Sequence, residues 1–252
     1  MAKVLAFANQ KGGVAKTTTT ISLGVAFREM GHRVLAVDLD PQGNLTMSLG
    51  LDPDSVHPSM YDVLVHQLNI EDVIFCREID VAVSSIDLAA AEMALTSVIG
   101  RERVLTKALM QVNDCYDFIL IDTPPSLGLL TVNALTACEA VIVPVQCEYL
   151  SLRGLAQLER TLELVRENLN PKVRIAGILP TMYDSRTVHG REAVEVLRNS
   201  FGDLVFETVV RKTIRFAEAP VKGESVLRYA PSSEAANIYR RLAREVLNGK
   251  KI

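Results

Sequence analysis

Seven short runs rich in Val, Ile and Leu alternate with segments of helical length along almost the whole chain. The runs are KVLAFA (3–8), RVLAVDL (33–39), DVAVSS (80–85), FILIDT (118–123), AVIVPV (140–145), RIAGILPT (174–181) and LVFETVV (204–210). Several are apolar at every position, the pattern of strands buried on both faces in a parallel sheet. Parallel neighbours need crossover connections, and helical segments are expected at 16–30, 101–113, 128–137, 151–168, 187–200 and 232–248. This rhythm predicts an α/β fold with a doubly wound, mostly parallel sheet flanked by helices. No repeat or low-complexity linker divides the 252 residues, so residues 1–252 are expected to form one domain. Ligands bind such sheets beyond the carboxyl ends of the strands. Residues able to do chemistry should therefore sit just after strands.

The first strand–helix junction meets that expectation. It reads ANQKGGVAKTTTTIS, residues 8–22. The common phosphate-loop pattern is G-x-x-x-x-G-K-[ST]. Lys16 and Thr17 satisfy its end, while Gln10 and Ala15 stand where glycines would be. Amides at a helix N-terminus point outward and, with the helix dipole, favour an anion. Gly12 and Gly13 let the backbone bend close to phosphate oxygens. Lys16 can reach terminal phosphates, and the Thr17 hydroxyl can ligate Mg²⁺. Ala15 is expected at negative φ, where its methyl costs little.

Two further strand ends carry carboxylates. VDLDPQGN places Asp38 and Asp40 after the second run, and neither is comfortable in an interior without partners. A carboxylate there could hold Mg²⁺ through water or orient a water for attack on a γ-phosphate. DFILIDTPPS ends an apolar run on Asp122, the arrangement that supports Mg²⁺ in many phosphoryl-transfer sites.

Composition sets outer limits. Hydrophobic residues make up 48% and charged residues 23%, ordinary for a globular chain and unlike a disordered one. No apolar run approaches the roughly 20 residues needed to span a bilayer, and the N-terminus enters a strand-like run without a leader pattern. A cytoplasmic protein is expected. Cys76, Cys115, Cys138 and Cys147 form no C-x-x-C pair and are expected as buried thiols rather than disulfides. Net charge is −3, unevenly spread. From residue 211 onward ten Lys or Arg face four Glu, a local +6, which leaves −9 for residues 1–210. That tail suits either a polyanion partner or a solvated surface.

Taken together, the motifs resemble a known family. KGGVAKTTT is similar to the deviant Walker A motif of the ParA/MinD ATPases, usually written KGG-x-G-K-T-[ST]. DLDPQGN resembles their switch I segment, and ILIDTPPSLG their Walker B and switch II segments. TMYDSRT (181–187) and IRFAEAP (214–220) resemble stretches of chromosomal, Soj-type ParA proteins. The likeness extends over essentially the whole chain.

The resemblance implies an ATPase that uses ATP and Mg²⁺. The nucleotide is expected on Lys11, Gly12, Gly13, Val14, Ala15, Lys16, Thr17 and Thr18, with Met182 and Pro220 also touching it. Lys11 would be the signature lysine, reaching the nucleotide of a partner protomer, while Lys16 serves its own. Thr17 would bind the metal, Asp40 would position the hydrolytic water beside it, and Asp122 would stand behind the metal's ligands. Two protomers would sandwich two ATP molecules. A cation entering a water-poor site against triphosphate charge gains far more than one left in solvent, so Lys11 can couple dimerisation to nucleotide state. In Ala15 the methyl departs from the family pattern, and dimer strength is the property it touches.

The family further implies an ATP-dependent homodimer that binds DNA non-specifically at the nucleoid and is released by a ParB-like centromere-binding protein. Arg186, Arg211, Lys212, Arg215, Lys222, Arg228, Arg240 and Arg244 are the expected phosphate contacts. The alternative is a MinD-like ATPase that cycles on membranes. The last helix, with Ala235, Ile238, Tyr239, Leu242 and Val246 on one narrow face, is expected to pack on the sheet rather than anchor in lipid. No stable membrane association is expected. An iron–sulfur protein of the same fold would need paired cysteines across a dimer, and Cys115 and Cys138 lack that context. Tyr183 is expected either beside the adenine or in ordinary packing.

Overall fold

The computed structural model describes residues 1–147 and 151–249, with the backbone alone for residues 151–153. Its strands are β1 Lys3–Phe7, β2 Val34–Asp38, β3 Ile74–Cys76, β4 Asp80–Ala82, β5 Phe118–Asp122, β6 Ala140–Gln146 and β7 Arg174–Thr181. They form one sheet in the order β3-β4-β2-β5-β1-β6-β7. All pairings are parallel except β3 with β4. β2, β5 and β6 are buried almost throughout, as continuous apolar runs require.

The helices are α1 Lys16–Glu29, α2 Asn44–Ser48, α3 Met60–Val65, α4 Ala91–Ala94, α5 Val104–Met110 and α6 Leu129–Ala137. Then follow α7 Ser151–Asn168, α8 Val188–Phe201, α9 Arg215–Val221, α10 Val226–Tyr229 and α11 Glu234–Asn248. Starts follow local chemistry: Thr187 caps α8 through Gly190 N–H, and Ser233 caps α11 through Ala236 N–H. The apolar face of α11 is buried against the rest of the molecule, with Tyr239, Leu242 and Ala236 fully covered. Its Tyr239 hydroxyl lies 3.2 Å from the Thr19 hydroxyl of α1. Arg240 grips the Glu29 carboxylate of α1 at 2.6 and 2.8 Å. The last helix is thus packed mainly against the first, where the sequence suggests the sheet.

Two further expectations need correction. Residues 204–210 form no sheet strand; after a short turn they meet β7 through one isolated bridge, Ile178 with Val205, and the separate bond of Val210 N–H to Pro180 O at 2.9 Å. The reason is a competing acceptor. Glu245 of α11 takes the Glu207 and Thr208 N–H groups at 2.7 and 3.0 Å, so those donors never join a ladder. The short edge strand β3 and helices α2, α3, α4, α9 and α10 are too brief to show a period in sequence. Of the cysteines, Cys138 and Cys147 are buried as expected, whereas Cys76 and Cys115 are exposed.

Candidate functional site

Strand register brings the chemistry together. Phe7 pairs with Asp122, and Asp38 pairs with the same residue from the other side. The loop after β1, the loop after β2 and the end of β5 therefore emerge side by side. β1 also separates strands reached by oppositely running crossovers, where open α/β sheets form ligand crevices. A cleft of about 580 Å³ opens there, within the range of small-molecule sites.

Its floor is the loop 9–17. Val14 is buried and its carbonyl accepts from the Thr181 hydroxyl at 3.0 Å. Asn9 ties the loop to β6, donating to Pro144 O at 2.7 Å and accepting from Lys11 N–H at 2.9 Å. Gly13 has φ +73°. Ala15 has φ +67° and ψ +34°, opposite to the negative φ expected. The turn needs left-handed backbone at two positions with a single residue between them, and the chain supplies glycine only at the first. The second is held by its surroundings: Ala15 O accepts the first helical bond of α1, from Thr19 N–H at 3.0 Å. No side chain caps α1, so its first amides face the cleft as an anion site would have them.

Alanine at such an angle costs on the order of 1 kcal/mol relative to glycine. Ala15→Gly is therefore expected to stabilise the nucleotide-free protein by about 1 kcal/mol, raising its melting midpoint by roughly 2–4 °C. A thermal melt that is unchanged or lowered would show that the loop relaxes the strain in solution.

Lys16 is 7% exposed. Its ammonium donates to Asn9 O at 3.2 Å and Lys11 O at 3.4 Å, curling across its own loop. Burial lowers its pKa, against the pull of Asp122 and Asp40. The Thr17 hydroxyl donates to Asp122 at 2.6 Å, and Thr20 approaches the other oxygen at 3.5 Å. Asp122 is fully buried. Burial first and the neighbouring Asp38 second push its pKa upward.

The two carboxylates after β2 have separate tasks. Asp38 is fully buried and accepts from Thr46 N–H at 2.9 Å, Thr46 Oγ1–H at 2.8 Å and Asp40 N–H at 3.1 Å. Burial pushes it up to about 7. It anchors α2 from beneath. Asp40 lines the cleft; one of its carboxylate oxygens accepts from Gln42 N–H at 3.0 Å, and its carbonyl accepts from Ser84 Oγ–H at 2.8 Å.

The remaining walls come from Gln42, Asn44, Met47 and Ser48 on one side, and Met182, Ala217, Pro220 and Val221 on the other. Gly12, Gly13, Ala15, Lys16, Thr17 and Thr18 all line the cleft, as do Met182 and Pro220. Met182 has φ +54°, turning the chain at the end of β7. Tyr183 points its backbone to Val210 O instead and does not line the cleft. Lys11 is exposed on the outer loop, and Asp122 lies beneath Thr17. Sequence reading passed over Asn9, Thr181 and α2. Asn9 stands two positions after the last residue of β1, a polar residue at a strand end like the two carboxylates.

The basic residues separate into two kinds. Arg211 and Lys212 are exposed beside Tyr183, and Arg215 and Lys222 are exposed at the two ends of α9. Arg186 is exposed but paired with Asp184 at 2.7 Å, and Arg228 with Glu224 at 3.3 Å. Arg244 is exposed on α11. Arg240 differs from expectation: its guanidinium binds Glu29, Pro231 O and Asn237, a link between helices rather than an open phosphate contact. Lys250 and Lys251 lie outside the described residues. Cys138, at the end of α6, is buried, whereas Cys115 is exposed. Among the described residues, no helix is long and apolar enough to cross a membrane.

Known proteins share this arrangement. The model of the AAA domain family matches residues 2–175. The chain is 46% identical to the sporulation initiation inhibitor protein Soj of Bacillus subtilis over 249 residues, covering 98% of each. It is 43% identical to the chromosome partitioning protein ParA of Caulobacter vibrioides, covering 99% of this chain and 95% of that one. A crystal structure of cobyrinic acid a,c-diamide synthase from Mycobacterium smegmatis, with bound ADP and magnesium, superposes with a TM-score of 0.87. It is 42% identical and covers 98% of this chain and 95% of the other. With this sheet, this loop and these relatives, the chain belongs to the AAA domain family and, within it, to the Soj/ParA-type P-loop ATPases.

Proposed function

We propose that this chain, working as one domain, is an ATP-dependent DNA-partitioning ATPase. The observation that carries the reading is the convergence of the uncapped loop–helix junction, Asp40 and the Thr17–Asp122 pair at the ends of three neighbouring strands. The amides of residues 12–18 and the Lys16 ammonium hold the phosphates. Met182 and Pro220 receive the nucleoside. The metal fits the donors present: Thr17 offers a hydroxyl oxygen and Asp122 a buried carboxylate behind it, the hard oxygen ligands that Mg²⁺ prefers. Asp40 faces the cleft nearby and completes that set. When bound, Mg²⁺ neutralises charge on the phosphate oxygens during transfer. Asp40 orients the attacking water.

Lys11 completes the site of a second protomer. It sits exposed on the outer loop, so an ATP-bound pair can bury it against the partner's phosphates. Such a lysine stabilises transition-state charge in the way an arginine finger does. The dimer then presents Arg211, Lys212, Arg215 and Lys222 from each protomer to DNA, with Arg186, Arg228 and Arg244 at the margins. Backbone contacts of this kind give affinity without sequence preference. A ParB-like protein stimulates hydrolysis and release, which places the protein in the cytoplasm at the nucleoid.

The test is DNA binding and sizing with ATP or ADP across a salt series. ATP should produce a dimer that retains plasmid DNA, weakening with log-linear salt dependence, and ADP should not. Lys11→Ala should lower ATP-dependent DNA retention at least about tenfold through loss of the dimer. Wild-type behaviour of Lys11→Ala in both assays refutes the trans-acting lysine. Liposome binding without DNA binding would favour the membrane-cycling alternative. The name of the M. smegmatis structure suggests amide synthesis; ATP turnover that depends on a cobyrinic acid and not on DNA would support that reading.

A further inference from the structure

Two glycines outside the phosphate loop join the walls of the cleft. Gly50, just beyond α2, has φ +77°, and Gly223, just beyond α9, has φ +67°. Gly223 closes α9 by donating to Pro220 O at 2.9 Å, while Glu224 N–H donates to Ala219 O at 3.2 Å, a left-handed helix stop. The two backbones meet directly. A Cβ on Gly223 would stand 2.8 Å from Gly50 Cα and 3.1 Å from Gly50 N. A Cβ on Gly50 would meet nothing closer than Gly223 Cα at 3.5 Å. Both positions carry the same left-handed cost for a side chain, but only Gly223 lacks room.

This contact sits behind the lining residues. α9 presents Ala217, Pro220 and Val221 to the cleft, and α2 presents Met47 and Ser48. α2 is fixed through Thr46 to the buried Asp38. α9 is rooted at its start by Phe216 against Tyr239 and in its middle by the buried Ala219; beyond Gly223, Ser225 N–H and Oγ–H reach the Glu78 carboxylate of the β3–β4 connection at 2.8 and 2.6 Å. The depth of the C-terminal end of α9, which carries Pro220 and Val221, is therefore set by how closely Gly223 approaches Gly50, with Ser225 as the next tether.

We propose that Gly223 is a positioning residue for the nucleoside end of the site. By having no side chain, it lets α9 seat against the loop behind α2 and holds Pro220 at the depth a purine nucleoside requires. The phosphate end, built on β1 and α1, is independent of it. The proposal rests on the cleft being an ATP site.

Calorimetric titration with ATP·Mg and with tripolyphosphate·Mg separates the two ends. Gly223→Ala should bind ATP at least about tenfold more weakly than Gly50→Ala, while the two variants bind tripolyphosphate within about threefold of each other. Equal ATP affinities in the two variants overturn the proposal, as does a tripolyphosphate loss that matches the ATP loss. Should Gly223→Ala not fold, Ser225→Ala decides, since it removes a tether without adding an atom. It should weaken ATP about threefold or more and leave tripolyphosphate unchanged; wild-type ATP affinity in Ser225→Ala overturns the proposal. A wild-type protein that binds neither ligand refutes the ATP site itself, and the positioning role with it.

Discussion

Lys16→Ala should bind ATP·Mg at least about 100-fold more weakly than wild type. In the nucleotide-free protein the ammonium is buried and donates to two neutral carbonyls, one of them at 3.4 Å. Burial pulls its pKa down against the attraction of Asp122 and Asp40, and phosphate oxygens in the cleft would offer it charged acceptors at hydrogen-bond distance. A charge-assisted hydrogen bond contributes roughly 1.5–3 kcal/mol, and two of them correspond to about 100-fold or more in affinity. The fold should not suffer equally, because removing a buried ammonium also removes its desolvation cost. The melting midpoint of the nucleotide-free variant is expected within about 3 °C of wild type. Titration calorimetry with parallel thermal melts checks both halves. Affinity retained within about threefold would put the phosphates elsewhere.

Asp40→Ala should separate binding from turnover. Phosphate release is expected to fall by about 100-fold or more, the usual contribution of a positioned proton acceptor or water-orienting group. ATP affinity should stay within about threefold of wild type, because the phosphates are held by the loop after β1. The geometry of Asp40 is set by the protein alone, through Gln42 N–H on its carboxylate and Ser84 on its carbonyl. Nothing in the surrounding loop needs ATP to aim it. If affinity and turnover fell together, Asp40 would be a ground-state binding residue instead. The variant should still form the ATP-dependent dimer, which distinguishes it from Lys11→Ala.

How much of this was legible beforehand depended on whether a residue's task is local. The seven-run alternation predicted the parallel sheet because burial on both faces writes itself into each strand. The convergence of the loop 9–17, Asp40 and Asp122 followed from strand ends alone. What failed was set by distant partners. Residues 204–210 look like a strand, but Glu245, far along the chain, takes two of their donors. Arg240 looks like a free cation, but Glu29 on the first helix holds it. Asp38 and Asp40 look equivalent in DLDP; only Thr46 shows that the first is a structural anchor. Ala15 is the sharpest case. Its own preference argued for negative φ, and the demands of the turn overruled it.

The seating of α11 on α1 has a consequence for synthesis. The helix that carries Lys16 and Thr17 is made early, yet Tyr239 and Arg240, which cover and clamp it, lie 220 and 211 residues beyond their partners Thr19 and Glu29. Nascent chains fold from the N-terminus as they emerge, so α1 waits with an uncovered flank until α11 has emerged. A chain cut short before α11 would leave the Thr19 and Glu29 side of α1 uncovered and unclamped.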